Sequence, residues 1–176
     1  MNGSGSAPSL ASGNDLRDRD LLSIPLDSPH AVTIPCAVDA FCKLSEDWGT
    51  LGLDTILQPA IHYATHGVPI AQRVAYDLAE LTEKLNSAGK EFYLPWGRAP
   101  KVGESFAHPG QVKVLKEIAK YGRDGFYSGE VAEDMVNSLQ KLGGVHTMDD
   151  FSSMEAFYTN PISGNFSKFE LVEHPP

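Results

Sequence analysis

Residues 31 to 75, AVTIPCAVDAFCKLSEDWGTLGLDTILQPAIHYATHGVPIAQRVA, limit the fold more than any other stretch. An extended run (Val32, Thr33, Ile34) meets Pro35. Two amphipathic helices follow, each with a glycine stop (Gly49, Gly67), and a third begins beyond Pro69. The spacing predicts a helix over residues 36 to 48, with Val38, Phe41, Cys42 and Trp48 inward and Asp39, Lys43, Glu46 and Asp47 toward solvent. A second over 53 to 66 sets Leu53, Ile56, Leu57, Ala60 and Ala64 inward. Pro59 inside it removes one backbone donor, so a bend is expected there and not a break. A third, over 70 to 86, carries the stripe Ala71, Val74, Ala75, Leu78, Leu81 and Leu85, with Glu80 to Lys84 as a favourable i, i+4 pair.

The flanks are less regular. Residues 1 to 30 are rich in Gly, Ser, Pro and Asp and read as irregular, flexible loop. Residues 87 to 109 break the helical period and read as a long connection around Phe92, Tyr93 and Trp96. Helices are expected over 110 to 121 and 129 to 142, with Ser128 as N-cap and Gly143 as C-cap. The lysines of the former (Lys113, Lys116, Lys120) share their face with Glu117, as on a solvated surface. Thr147 to Asp150 approximates a capping box before Phe151. Residues 157 to 173 alternate apolar and polar positions around Gly164 and Asn165, a strand–turn–strand pattern. Two strands alone are marginal in water, so this hairpin asks for a partner sheet that the chain does not supply. The fold class expected is α+β: a mostly α-helical fragment with a C-terminal β-hairpin. The organisation is a segment 1–30, a helical region 31–156, and strands 157–176 returning to a sheet, all within one larger domain.

Several function classes fall away. A net charge of −9 over 176 residues argues against a nucleic-acid partner, which requires a basic surface. No run approaches the length of a membrane span, and MNGSGSAPSLASGND lacks the basic start and apolar core of a signal peptide, which leaves localisation open. Cys36 and Cys42 lie about 120° apart on a helix, too divergent for a bridge, and read as buried thiols. His62 and His66 have the i, i+4 spacing of zinc ligands, but position 63 is Tyr where the metalloprotease pattern needs Glu, so surface histidines are the reading. GSGSA at 3 to 7 is neither a serine-hydrolase elbow nor a phosphate loop. No catalytic, substrate-binding or metal-ligating residue and no cofactor is expected from pattern alone.

A resemblance supplies what pattern does not. VTIPCAVDA (32 to 40), the Gly49–Thr50–Leu51 step followed by Leu57, Pro59, Ala60, Ile61, Ala64 and Gly67, then Arg73 and Ala75, resemble the large subunit of the γ-glutamyltransferase family (glutathione hydrolases), N-terminal nucleophile hydrolases. VGESFAHPGQVKVLKEIAKYGRDGFYSGEVAEDMV and GGVHTMDDFSSMEAFYTNPISGNFSKFELVEHPP continue it in the family's order, over roughly residues 30 to 176. NGSGSAP is similar to the NGSGRAP tract of the transferase-like branch.

The resemblance implies an αββα fold, an autoprocessed zymogen, and acyl transfer from a small-molecule γ-glutamyl substrate to water or an amine. The nucleophile implied is the N-terminal Thr of a small subunit, whose own amine can serve as base. That subunit is the missing partner. Thr33, Thr50, Thr55, Thr65, Thr82, Thr147 and Thr159 lack its context. The resemblance further implies an Arg, in the tract occupied here by Ser4 and Ser6, that pairs with the substrate α-carboxylate. No Arg stands there, and Cys36 replaces a Gly. The chain reads as a large-subunit fragment, inactive alone. The alternative is a catalytically dead helical remnant that binds or supports.

Overall fold

The structure, a computed structural model, describes residues 1–25 and 27–175. It is α+β, about half helical, with two small antiparallel ladders. The chain divides into two compact units, one of Met1–Leu53 with the chain from Lys120 on, the other of Asp54–Ala119.

In the first unit, helix α1 (Gly13–Arg17) is a short turn capped by the Ser12 hydroxyl. Helix α2 (Ala37–Trp48) starts at Cys36 and ends at Gly49, as the pattern requires. Its inward face differs from expectation: Asp39, Ala40 and Cys42 are buried, whereas Phe41 and Trp48 are exposed. Polar bonding rotates the helix this way, because the Asp39 carboxylate is matched by donors inside the fold and Phe41 has no apolar surface to cover it. Cys36 has φ −113, an ordinary value for a residue with a side chain, so its Cβ strains nothing.

Three groups from distant parts of the chain bond to Asp39. Arg123 Nε donates to its Oδ1 at 2.6 Å and the Ala156 N–H to its Oδ2 at 2.7 Å, while the Asp39 N–H donates to the Tyr127 hydroxyl at 3.1 Å. Arg123 Nη2 donates onward to the carbonyls of Ser152, at 2.8 Å, and Met154, at 2.5 Å. These bonds fix α2 to helix α8 (Asp124–Tyr127) and to the segment after helix α10 (Met148–Ser152). Apolar packing surrounds them: Ile34, Cys36, Ala40, Tyr127, Ala132, Val136, Phe151, Met154 and Ala156 form one cluster. Helix α9 (Gly129–Lys141) contributes Val131, Ala132 and Val136 to the buried set. Ser128 occupies its N-cap but leaves its hydroxyl unbonded to the helix, and Gly143, at φ 90, takes the left-handed turn beyond the C-cap. Thr147 and Asp150 form the capping box of α10 with both reciprocal bonds.

The chain then enters strands β3 (Ile162–Phe166) and β4 (Phe169–Glu173). The turn lies at Ser167–Lys168, not at Gly164 and Asn165, which sit inside β3. Ser167 takes the left-handed conformation (φ 56) that closes the Phe166–Phe169 pair. Register puts Ile162, Phe166, Phe169 and Leu171 on one face and Ser163, Val172, Asn165 and Glu170 on the other. Both faces are exposed, Phe166 at 80%.

In the second unit the expected bend at Pro59 is a break. Helices α3 (Leu53–Ile56) and α4 (Gln58–His66) are separated at Leu57, and Pro59 falls in the first turn of α4, where a missing N–H leaves no acceptor unmet. Helix α5 (Gln72–Leu81) is shorter than its stripe and buries no residue; the chain tightens to a 3₁₀ turn at Thr82–Lys84, and the ion pair on this helix is Arg73 with Asp77. The expected long connection contains helix α6 (Ser87–Tyr93), capped by Asn86, and strand β2 (Ser105–Phe106), which pairs with β1 (Val68–Pro69). A bidentate Arg98–Glu104 fork braces the loop before β2, and its hydrogen bonds hold the Glu104 carboxyl down at about 2. Helix α7 (Pro109–Tyr121) follows, with Ile118 buried. Among the described residues no helix is long and apolar enough to cross a membrane.

Removing one partner of the nearly buried Asp39–Arg123 pair leaves the other without its counter-charge. Asp39→Asn and Arg123→Met are each expected to lower unfolding free energy by about 2–3 kcal/mol, read from urea midpoints. Asp124 also approaches Arg123, at 3.6 Å, but its side chain is 78% exposed. Asp124→Asn is therefore expected to change stability by no more than about 0.5 kcal/mol.

Candidate functional site

The first nine residues read from sequence as flexible loop, yet they run as an extended tract bonded on both sides. Asn2 exchanges both backbone bonds with Phe157, at 2.7 and 3.2 Å. The Ile34 N–H donates to the Ser6 carbonyl at 2.8 Å, and the Ser9 N–H to Asp150 Oδ1 at 2.8 Å. Two glycines make this course possible. A Cβ at Gly3 would lie 2.7 Å from the Ala40 Cβ, and one at Gly5 would run into the Ile34 carbonyl oxygen. The tract lies so close to α2 and to Thr33–Ile34 that any side chain there would push it away. Ser4, Ser6 and Ala7 are exposed along it.

Beside the tract is a largely apolar cavity of about 270 Å³, lined among others by Pro8, Leu16, Ile24, Val32 and His146. His146 is fully buried, and its Nε2 meets the Val32 carbonyl at 2.8 Å. A carbonyl only accepts, so Nε2 carries the proton. Nδ1 has no partner among the described residues. A second, more polar cleft of about 390 Å³ lies along Asp39, Cys42, Lys43, Glu46, Arg123 and Glu155. It is the larger of the two but offers little chemistry, because the Arg123 guanidinium is already engaged by Asp39 and two carbonyls.

Titratable groups here follow their bonding. Burial pushes the Tyr127 phenol up to about 12, more than its bond from the Asp39 N–H pulls it down. Burial likewise raises the Cys36 and Cys42 thiols, aided by the Asp39 charge, and both are free and buried; neither is an activated nucleophile. Burial also pushes the Asp150 carboxyl up, but hydrogen bonds from Ser9 and Thr147 outweigh it, and the net shift is downward.

The histidine pair belongs to the second unit. His62 and His66 lie on exposed α4 with ring centroids 4.3 Å apart, and His66 Nδ1 is bonded to the His62 carbonyl at 2.9 Å. No group of three or more His, Cys, Asp or Glu side chains is placed to hold a metal ion among the described residues. Of the threonines, Thr65 and Thr82 bond helix carbonyls and Thr147 caps α10. Sequence reasoning missed Asp39, Arg123 and Asp150 as organising residues. An acidic residue in a first helical turn is a weak signal, and the partners lie 84 residues apart for Arg123 and 141 apart for Ser9.

Gly5→Ala is expected to break the Ser6–Ile34 bridge, seen as faster amide exchange at Ile34, with helix content unchanged. Asp150 is a carboxylate whose folded pKa is depressed, so its stabilisation is present above the unfolded value of about 4 and is lost as pH falls through the lower folded value. The stability gap between wild type and Asp150→Asn is therefore expected to be full at neutral pH and to close in acid; a gap independent of pH would contradict this.

The family model for γ-glutamyltranspeptidase matches residues 1–176. The glutathione hydrolase-like YwrD proenzyme of Bacillus subtilis is 31% identical over 157 residues, which are 88% of this chain and 30% of that protein. The glutathione hydrolase proenzyme of Escherichia coli is 29% identical over 154 residues, 86% of this chain and 27% of its own. Among solved structures, γ-glutamyltranspeptidase of Helicobacter pylori superposes with a TM-score of 0.92 at 27% identity, covering 99% of this chain and 52% of that one. Cephalosporin acylase of Bacillus halodurans gives 0.93 at 29% identity, covering 99% and 34%. The chain thus spans about 30% of the curated relatives it matches.

Proposed function

The chain belongs to the γ-glutamyltranspeptidase family, and on that premise we propose that it supplies the large-subunit part of an enzyme that transfers γ-glutamyl groups from glutathione and related compounds to water or an amine. The observation that carries this reading is the family match along the whole chain. In the reaction, a small-subunit Thr hydroxyl attacks the γ-carbonyl carbon and its own α-amine takes the proton. An ester forms at the Thr oxygen, the amide C–N bond breaks, and the proton passes to the departing amine. Water or an acceptor amine then attacks the ester and frees the Thr. No cofactor takes part in this scheme.

The same reading places residues 31–156 as the helical region and 157–176 as strands of one larger αββα domain. The hairpin supports it: β3 and β4 carry four large apolar side chains on one face with nothing over them. Burying each would contribute about 2 kcal/mol, a gain that a sheet from the remaining protein can realise. On this reading the 176 residues alone are inactive.

The tract Ser4–Ser6–Ala7 lies on the substrate side, where the family resemblance puts an Arg on the substrate α-carboxylate. A serine hydroxyl there offers one donor in place of the bidentate fork. Assembled with its small subunit, the chain is expected to release p-nitroaniline from γ-glutamyl-p-nitroanilide. Ser6→Arg is expected to lower KM about tenfold, the worth of one charge-assisted bond. Absence of turnover by an assembled, processed protein would favour the dead remnant and overturn the proposal.

A further inference from the structure

Asp150 bonds in two directions at once. Its Oδ2 accepts from the Thr147 N–H at 2.9 Å and from the Thr147 hydroxyl at 2.8 Å, closing the box at the start of α10. Its Oδ1 accepts the Ser9 N–H at 2.8 Å. Three donors converge on one side chain that is 9% exposed. A carboxylate can receive them all, since it has about four lone-pair sites and no hydrogen. An amide cannot: either way round, its NH₂ head faces a donor, at Thr147 or at Ser9. Capping α10 alone does not call for this, because a box needs only the Thr147 side of the residue.

The geometry points to Asp150 as a positioning residue for residues 2–9, holding Ser6 in register on the substrate side of the site; the functional part of this rests on the γ-glutamyl-transfer reading above. The tract is fixed upstream of Ser6 by the Asn2–Phe157 bonds and at Ser6 by Ile34. Downstream, the clamp at Ser9 fixes the tract on the other side of Ser6, so that Ser6 is held from both directions. Pro8 opens a turn closed by the Ala11 N–H on its own carbonyl at 2.9 Å, which makes Ser9 the second residue of that turn. Proline is favoured at this place and has no N–H, so Ser9→Pro removes the clamp while leaving the capping box whole.

The test compares Ser9→Pro, Asp150→Asn and the core variant Val136→Ala in the processed two-subunit enzyme, with γ-glutamyl-p-nitroanilide as substrate. Ser9→Pro and Asp150→Asn are expected to raise KM about tenfold with kcat within about twofold, the loss of one hydrogen bond to a charged group. Val136→Ala, which opens a cavity in the apolar cluster but removes none of the tract's hydrogen bonds, is expected to lower Tm and leave KM unchanged. Unchanged KM in Ser9→Pro, or an equal rise in Val136→Ala, would overturn the positioning role. If the wild type itself releases no p-nitroaniline, the transfer reading fails separately, and amide exchange at Ile34 decides the clamp. Exchange about tenfold faster in Ser9→Pro supports the clamp, and an unchanged rate overturns it.

Discussion

A buried carboxylate organises the first unit. Asp39 is 5% exposed, and such a charge is tolerated only where its oxygens are matched by donors. The match comes from one guanidinium and one backbone N–H, Arg123 and Ala156, which lie far along the chain. Meeting that requirement sets three things together: the rotation of α2, the approach of α8, and the course of residues 152–156. Through its second nitrogen Arg123 also satisfies two carbonyls, Ser152 at the end of α10 and Met154 just beyond it. The apolar cluster then fills around a framework whose polar contacts decide the geometry.

That framework delivers two elements to the surface. One is the Gly-bearing tract 2–9, drawn against Ile34 and Ala40. The other begins at Phe157, where Asn2 pairs, and continues into the hairpin. The first presents short polar side chains; the second presents one apolar face and unpaired edges, which a sheet from another segment can cover. A family whose members are proenzymes several times longer than this chain gives a reason for both. On the proposed reading, the tract belongs to a site and the hairpin to a sheet that other segments complete.

Much of this was legible in the sequence. Glycine stops and prolines place α2, α7, α9 and the end of α4 within a few residues, and the capping box at Thr147 is formed as read. The departures share a cause: local pattern carries no information about partners distant in sequence. Asp39 reads as a solvent-face residue until Arg123 and Ala156 are brought to it, and Phe41 and Trp48 read as core until the fold leaves them uncovered. Gly164–Asn165 is a good turn dipeptide, yet pairing of Phe166 with Phe169 puts the reversal at Ser167. The N-terminal segment has the composition of a loop because its glycines serve close approach and not flexibility. Of the site, the resemblance marked the tract, but nothing in the sequence marked Asp150 as its clamp.

The most direct measurement is amide hydrogen exchange across residues 162–173 in this chain alone and in the processed two-subunit protein. The outward-facing amides of β3 and β4 are expected to exchange rapidly in the isolated chain and to become strongly protected in the assembled protein. Equal, rapid exchange in both would contradict it, leaving a hairpin that no partner sheet covers.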